Sequence, residues 1–232
     1  GLDGILGLVR ALRTDASGRL RGQVVDAMTT NETLWFRDAH PFESLEQTVI
    51  PELIDARRTT RTLDIWCAAA STGQEPYTIA MVLKERFPQL AGWKVRILGT
   101  DISPSALERA RKGVYSQMEM GRGMPAKYMV KYFTRAGVDW QINPDIRAMV
   151  EFKLFNLAGT WPPMGPFDLI FVRNVLIYFN QETKAQIVNR AEKNLKRDGY
   201  LLLGSTESLL NVQTNLDRVQ HGKTTCYRPK SA

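Results

Sequence analysis

From Thr62 onward the chain alternates short apolar runs with helix-like segments, and this alternation constrains the fold more than any other feature. "TLDIWCA" (62–68), "KVRILGTDI" (94–102), "MVEFKLFNL" (149–157), "FDLIFVRNV" (167–175) and "GYLLLGSTE" (199–207) read as buried strands, and "KTTCYRP" (223–229) as a last one. Between them, Glu75 to Phe87 reads as a helix with Pro76 near its first position and Ile79, Leu83 and Phe87 on one face. Ser103 can cap the next helix. Asn180 can cap another that runs to about Arg197, with Lys196 and Arg197 in its last turn and Gly199 just beyond. Apolar strands separated by helices imply a mostly parallel, twisted sheet of the α/β class. Ligands of such sheets bind beyond the carboxyl ends of the strands. The positions to weigh are therefore the Ala68–Glu75 loop, Asp101, Asn156, Leu157, Arg173 and Asn174.

Residues 1–57 have a different texture and read as a helical segment and linker, leaving 58–232 as the α/β domain. Leu20, Val24, Val25 and Met28 form an apolar stripe at helical spacing. "TTNETLWFRDAHPF" (29–42) is a polar-to-aromatic junction in which Asn31 is placed to cap a helix, and a further helix over Phe42, Leu45 and Val49 is interrupted or restarted at Pro51. No apolar run is long enough to span a bilayer, so membrane insertion is not expected, and no charged-then-apolar start marks a signal peptide. Two cysteines, Cys67 and Cys226, fit a reduced cytoplasm. Two distant histidines, His40 and His221, without cysteine partners, argue against a metal site. The net charge of +7 is concentrated early, at Arg10, Arg13, Arg19 and Arg21. It fits an acidic protein surface or nucleic acid, but lacks the aromatic interleaving used to stack bases.

The loop "AAASTGQEP" (68–76) narrows the ligand. Asp101, ending the second strand, suits the diol of a ribose. A dinucleotide fold would put G-x-G-x-x-G in the first loop so that backbone approaches a pyrophosphate. Here a single glycine, Gly73, is followed by Glu75 where the pyrophosphate would lie. An acid there suits a cationic ligand, and S-adenosylmethionine (AdoMet) carries both an ammonium and a sulfonium. Methyl transfer is the chemistry this implies. Where an amide-nitrogen methyltransferase carries Asn/Asp-Pro-Pro-aromatic after the fourth strand, this chain holds "RNVLIYF" (173–179), without prolines, and no histidine or cysteine lies close by as a base. A carboxylate acceptor needs none, because with an ordinary pKa of about 4.3 it is already ionised at neutral pH. Arg37 or Arg173, with Tyr178, could orient it. A nucleic-acid methyltransferase and a non-enzymatic AdoMet-sensing module stand as alternatives.

Five stretches, "TTNETLWFR" (29–37), "WCAAASTGQEPYTIA" (66–80), "LGTDIS" (98–103), "RNVLIYF" (173–179) and "LLLGSTESL" (201–209), occur in the order found in the chemotaxis receptor methyltransferases, and the chain resembles that CheR family from about residue 20 onward. The resemblance implies a Rossmann-like class I AdoMet methyltransferase domain, preceded by a partial helical domain and carrying a small antiparallel β insertion at about 128–152. It implies methylation of glutamate side chains on the cytoplasmic helices of chemoreceptors, with S-adenosyl-L-homocysteine as the product. Carried over by position, it places cofactor contacts at Asn31, Thr33, Arg37, Ala69, Glu75, Asp101, Ile102, Asn156, Leu157, Arg173 and Asn174. Arg37, Tyr178 and Arg173 would serve catalysis. The expected state is a cytoplasmic monomer that binds neither nucleic acid nor metal. Some members grip a receptor C-terminal peptide with the insertion; the corresponding span, 131–152, is a few residues shorter here, so no such tether is expected.

Overall fold

The computed structural model describes residues 4–230, so the ends of the two expected units, 1–3 and 231–232, lie outside the described residues. Two helices, α1 (Gly4–Thr14) and α2 (Arg19–Met28), come first. After an extended junction, α3 (His40–Ser44) passes through one π-turn (Leu45–Val49) into α4 (Ile50–Ala56). Pro51 therefore restarts the helix and does not end it, because its missing N–H falls in the first turn of α4. Then follow β1 (Thr62–Cys67), α5 (Gln74–Arg86), β2 (Lys94–Asp101), α6 (Pro104–Lys112), β3 (Val114–Tyr115), α7 (Gln117–Met120), α8 (Ala126–Tyr132), β4 (Phe133–Ala136), β5 (Asp139–Ile142), α9 (Pro144–Arg147), β6 (Val150–Leu154), β7 (Phe167–Val172), α10 (Gln181–Lys193), β8 (Leu195–Leu203), β9 (Leu216–His221) and β10 (Thr224–Pro229).

Seven strands form one sheet in the order β6-β2-β1-β7-β8-β10-β9; the first five are parallel, and β10 and β9 run antiparallel at one edge. The strand period of two sorts the central residues onto two cores. Ile65, Cys67, Ile97, Leu169, Phe171, Tyr200 and Leu202 face the layer of α5, α3 and α4. Trp66, Leu98, Ile170, Val172, Leu201 and Leu203 face the layer of α10. Both faces are covered, which is why these strands read as continuous apolar runs. The chain leaves β1 toward β2 on one side and later returns to β7 on the other. The parallel strands therefore diverge beside β1, at the kind of switch point where α/β sheets open a crevice.

Several expectations need correcting. The boundary at residue 57 does not separate two cores: Trp35, Phe42, Leu45, Val49, Ile50 and Leu53 pack in the same core as the sheet. Arg57 then ties α4 to the base of that sheet, with its Nε 2.6 Å from Asp168 Oδ1 and its terminal nitrogens on Asp198. The stripe on α2 is only partly covered, since neither α1 nor α2 buries a residue and Met28 is 80% exposed. Asn31 caps no helix; it lies in the extended junction and donates to Ser103 Oγ at 3.3 Å. The helix after Asn180 stops at Lys193, and Lys196 and Arg197 lie in β8. There Leu195 pairs with Phe167, and Lys196 Nζ sits 2.8 Å from the fully buried Asp168, a tertiary pull that outweighs the helical pattern.

β9 escaped the sequence reading because Leu216 and Val219 are its only apolar residues and form neither a run nor an alternation. The insertion is a three-stranded antiparallel sheet in the order β3-β5-β4, with its hairpin turn at Gly137. It recruits Val114–Tyr115 from outside the expected span, while residues from Val150 onward belong to the main sheet. Asn143–Pro144 opens α9. No helix among the described residues is long and apolar enough to cross a membrane.

Candidate active site

A cavity of about 310 Å³ opens at the carboxyl ends of β1, β2, β6 and β7. All twelve residues singled out from the sequence line it: Asn31, Thr33 and Arg37 from the junction, Ala69 and Glu75 after β1, Asp101 and Ile102 at the end of β2, Asn156 and Leu157 after β6, and Arg173, Asn174 and Tyr178 after β7. The parallel register explains why residues so far apart converge, since Cys67 pairs with both Gly99 and Phe171 and Asp101 pairs with Leu154.

The turn after β1 is shaped by its neighbours. Ala68 N–H donates to Phe171 O and Ala70 N–H to Thr100 O, each at 2.8 Å, so the small residues lie flat between β2 and β7. Ser71 adopts φ 49°, a left-handed conformation uncommon outside glycine, and so aims its N–H at Asp101 Oδ2 at 2.8 Å. Its hydroxyl donates to the Asn31 carbonyl at 2.7 Å and fastens the junction over the cavity. Gly73 at φ 97° starts α5; a Cβ there would lie 3.0 Å from Ala110 Cβ and 3.2 Å from the Tyr115 hydroxyl. Ser71 and the apolar Phe155, Val175 and Phe179 also line the cavity, and residue type and spacing did not single them out. The only signal for Ser71 was its place in the loop, because its contribution is made through the backbone.

Two carboxylates, one buried and one largely so, set the electrostatics. Asp101, 7% exposed, accepts N–H bonds from Ser71 and, at 2.9 Å, from Ser103. Burial nevertheless pushes its carboxyl above the ordinary range, with the N–H bonds opposing the shift. Glu75 is likewise raised by burial, opposed by the adjacent Arg173 guanidinium and by a hydrogen bond from Cys67. The Cys67 thiol is itself pushed well up by burial, so it stays protonated as that donor.

Arg173 is held through its two terminal nitrogens, while its Nε is buried without a hydrogen-bond partner among the described residues. Its NH1 lies 2.7 Å from Glu75 Oε2, its NH2 lies 2.8 Å from Asp38 Oδ2 and 3.0 Å from the Arg37 carbonyl, and only 1% of the side chain is exposed. It braces the junction against the first loop, with both of its terminal nitrogens engaged. The Arg37 guanidinium, by contrast, makes one hydrogen bond among the described residues, to the Glu32 carbonyl at 3.3 Å. The bracing is needed because Phe36, Asp38 and Ala39 all hold positive φ, at 48°, 69° and 49°. Tyr178, 59% exposed, stands at the mouth. Neither histidine lines the cavity; His40 instead bonds Thr224 at 2.9 Å.

This donor set fits AdoMet. A carboxylate prefixed by two N–H bonds keeps lone pairs that a ribose diol would fill, the Glu75 carboxylate would suit an ammonium or sulfonium, and Ile102, Phe155 and Leu157 form an apolar stretch of the lining that would suit a purine. A pyrophosphate would meet two acids.

Comparison with known proteins agrees with this chemistry. The family model described as "CheR methyltransferase, SAM binding domain" matches residues 31–225. Chemotaxis protein methyltransferase 1 of Pseudomonas aeruginosa is 45% identical over 99% of this chain and 85% of its own length. Chemotaxis protein methyltransferase Cher2 of Pseudomonas putida is 41% identical over 99% and 85% of the two chains, and the chemotaxis protein methyltransferase of Vibrio parahaemolyticus 41% over 94% and 81%.

Proposed function

This chain belongs to the CheR methyltransferase family, and from that premise we propose that it methylates glutamate side chains on the cytoplasmic helices of chemoreceptors, with AdoMet held in the cavity at the strand ends. The observation that carries the reading is an acid-lined, histidine-free cavity with Arg37 at its edge as the cation with donors to offer. AdoMet, when bound, supplies a methyl group on a sulfonium. Asp101 holds the ribose, Glu75 the ammonium, and Asn156 and Leu157 flank the adenine. Arg37 draws in the acceptor carboxylate, and Tyr178 covers it at the mouth. The acceptor arrives ionised, so the residues need not move a proton. Their work is to align it and strip its water, against a charge that is lost as the bond forms.

The chain acts in the cytoplasm, where receptor signalling helices lie, and its exposed Arg10, Arg13, Arg19 and Arg21 meet their acidic faces. Incubation with labelled AdoMet and receptor cytoplasmic fragments, followed by peptide mapping, tests the reading. Label on glutamates supports it; label on lysine, on nucleic acid, or on nothing while AdoMet binds, overturns it.

A further inference from the structure

The loop after β7 carries Asn174, Val175 and Tyr178 into the cavity, yet no sheet bond holds it beyond Val172. Its backbone is gathered instead on one side chain. Glu207 Oε2 accepts the N–H of Asn174 at 2.7 Å and of Gly204 at 2.8 Å, while Oε1 accepts the N–H of Val175 at 2.9 Å and of Leu176 at 2.7 Å. Three successive N–H groups can converge this way because Asn174 sits at φ 56°. Gly204 makes room: a Cβ there would lie 2.7 Å from Glu207 Oε2 and 2.9 Å from Asn174 N. Leu176, 2% exposed, pins the underside of the loop in the core, and Tyr178 N–H returns to Val175 O at 3.2 Å.

We propose that Glu207 is a positioning residue for methyl transfer, whose carboxylate sets the conformation of the 174–178 loop and so the placing of Tyr178 against the acceptor and of Asn174 beside the cofactor. The inference rests on the function proposed above for that cavity. A carboxylate is required by the bonding. A glutamine could accept on one side only, and its amide group would face two N–H donors with nothing to accept them.

The test uses Glu207→Gln and Gly204→Ala in the whole chain, each compared with the unsubstituted protein. Three quantities are read: AdoMet affinity by calorimetry, single-turnover methylation of receptor fragments, and amide hydrogen exchange at 174–176. The expected result for both variants is methyl transfer slower on the order of 100-fold, a smaller loss of AdoMet affinity through Asn174, on the order of tenfold, and faster exchange confined to the loop. Wild-type transfer rates in a folded Glu207→Gln protein would overturn the proposal, as would a rate loss matched by equal loss of AdoMet binding and of protection throughout the sheet. If the unsubstituted protein methylates no receptor, the functional reading fails instead, and exchange at 174–176 still decides whether Glu207 holds the loop.

Discussion

At the scale of single residues, the site is a set of charges whose partners decide their use. The terminal nitrogens of Arg173 are engaged by Glu75 and Asp38, and Arg37 is the cation we propose for the acceptor. Arg37→Ala should therefore lower kcat on receptor fragments on the order of 100-fold in a protein that still unfolds at the same denaturant concentration; an unchanged kcat would remove Arg37 from this role. Glu75 makes a prediction about pH. Burial raises its pKa in the free protein, so part of the population is protonated at acid pH, and only the ionised form answers the ligand's ammonium. Binding then releases a proton, and AdoMet affinity should climb as pH rises from the ordinary carboxylate range toward neutrality. The same titration on Glu75→Gln should be weaker and flatter, and a flat profile for the natural protein would contradict the raised pKa. The strand-end positions, such as Asp101 and Asn174, are legible in the sequence because a parallel sheet aligns its carboxyl ends. Ser71 and Glu207 are not, because both act through backbone N–H groups, and such bonds leave no mark on residue type or spacing.

At the scale of elements, the turn between β1 and α5 depends on Gly73. Gly73→Ala should cost about 1–2 kcal/mol for the left-handed backbone alone, read as a shift of the urea midpoint, and should weaken AdoMet binding because the turn cannot close over Ala110 and Tyr115. Equal stability would mean the turn relaxes freely. The parallel strands were readable as apolar runs because both faces are covered. The ends of elements were less so: α10 stops at Lys193 because buried Asp168 claims Lys196 for β8, and β9 is held only by its ladder with β10. The insertion makes its own prediction. Its outer strand β4 has only four residues, and Thr134 and Arg135 there are exposed, a short polar edge for a peptide to extend. Receptors lacking their last few residues should be methylated as fast as intact ones, and a large loss of rate on truncation would show that this edge is used.

At the scale of the whole molecule, the exposed arginines of α1 and α2 precede the strap at 29–33, which crosses the cavity, and the basic face and the cofactor site are thus consecutive along the chain. That arrangement suits a substrate that is itself a long acidic helix bundle, docking through charge while one carboxylate reaches the mouth beside Tyr178. The claim beneath it is that the acceptor is a carboxylate, which needs no base and so explains a cavity that no histidine lines. The most direct measurement follows the bond that is made. After methylation of receptor fragments with label in the methyl group, mild alkali should release that label as volatile methanol, because an ester hydrolyses. Label that stays on the protein through alkali would mark a methylated amine and contradict the account.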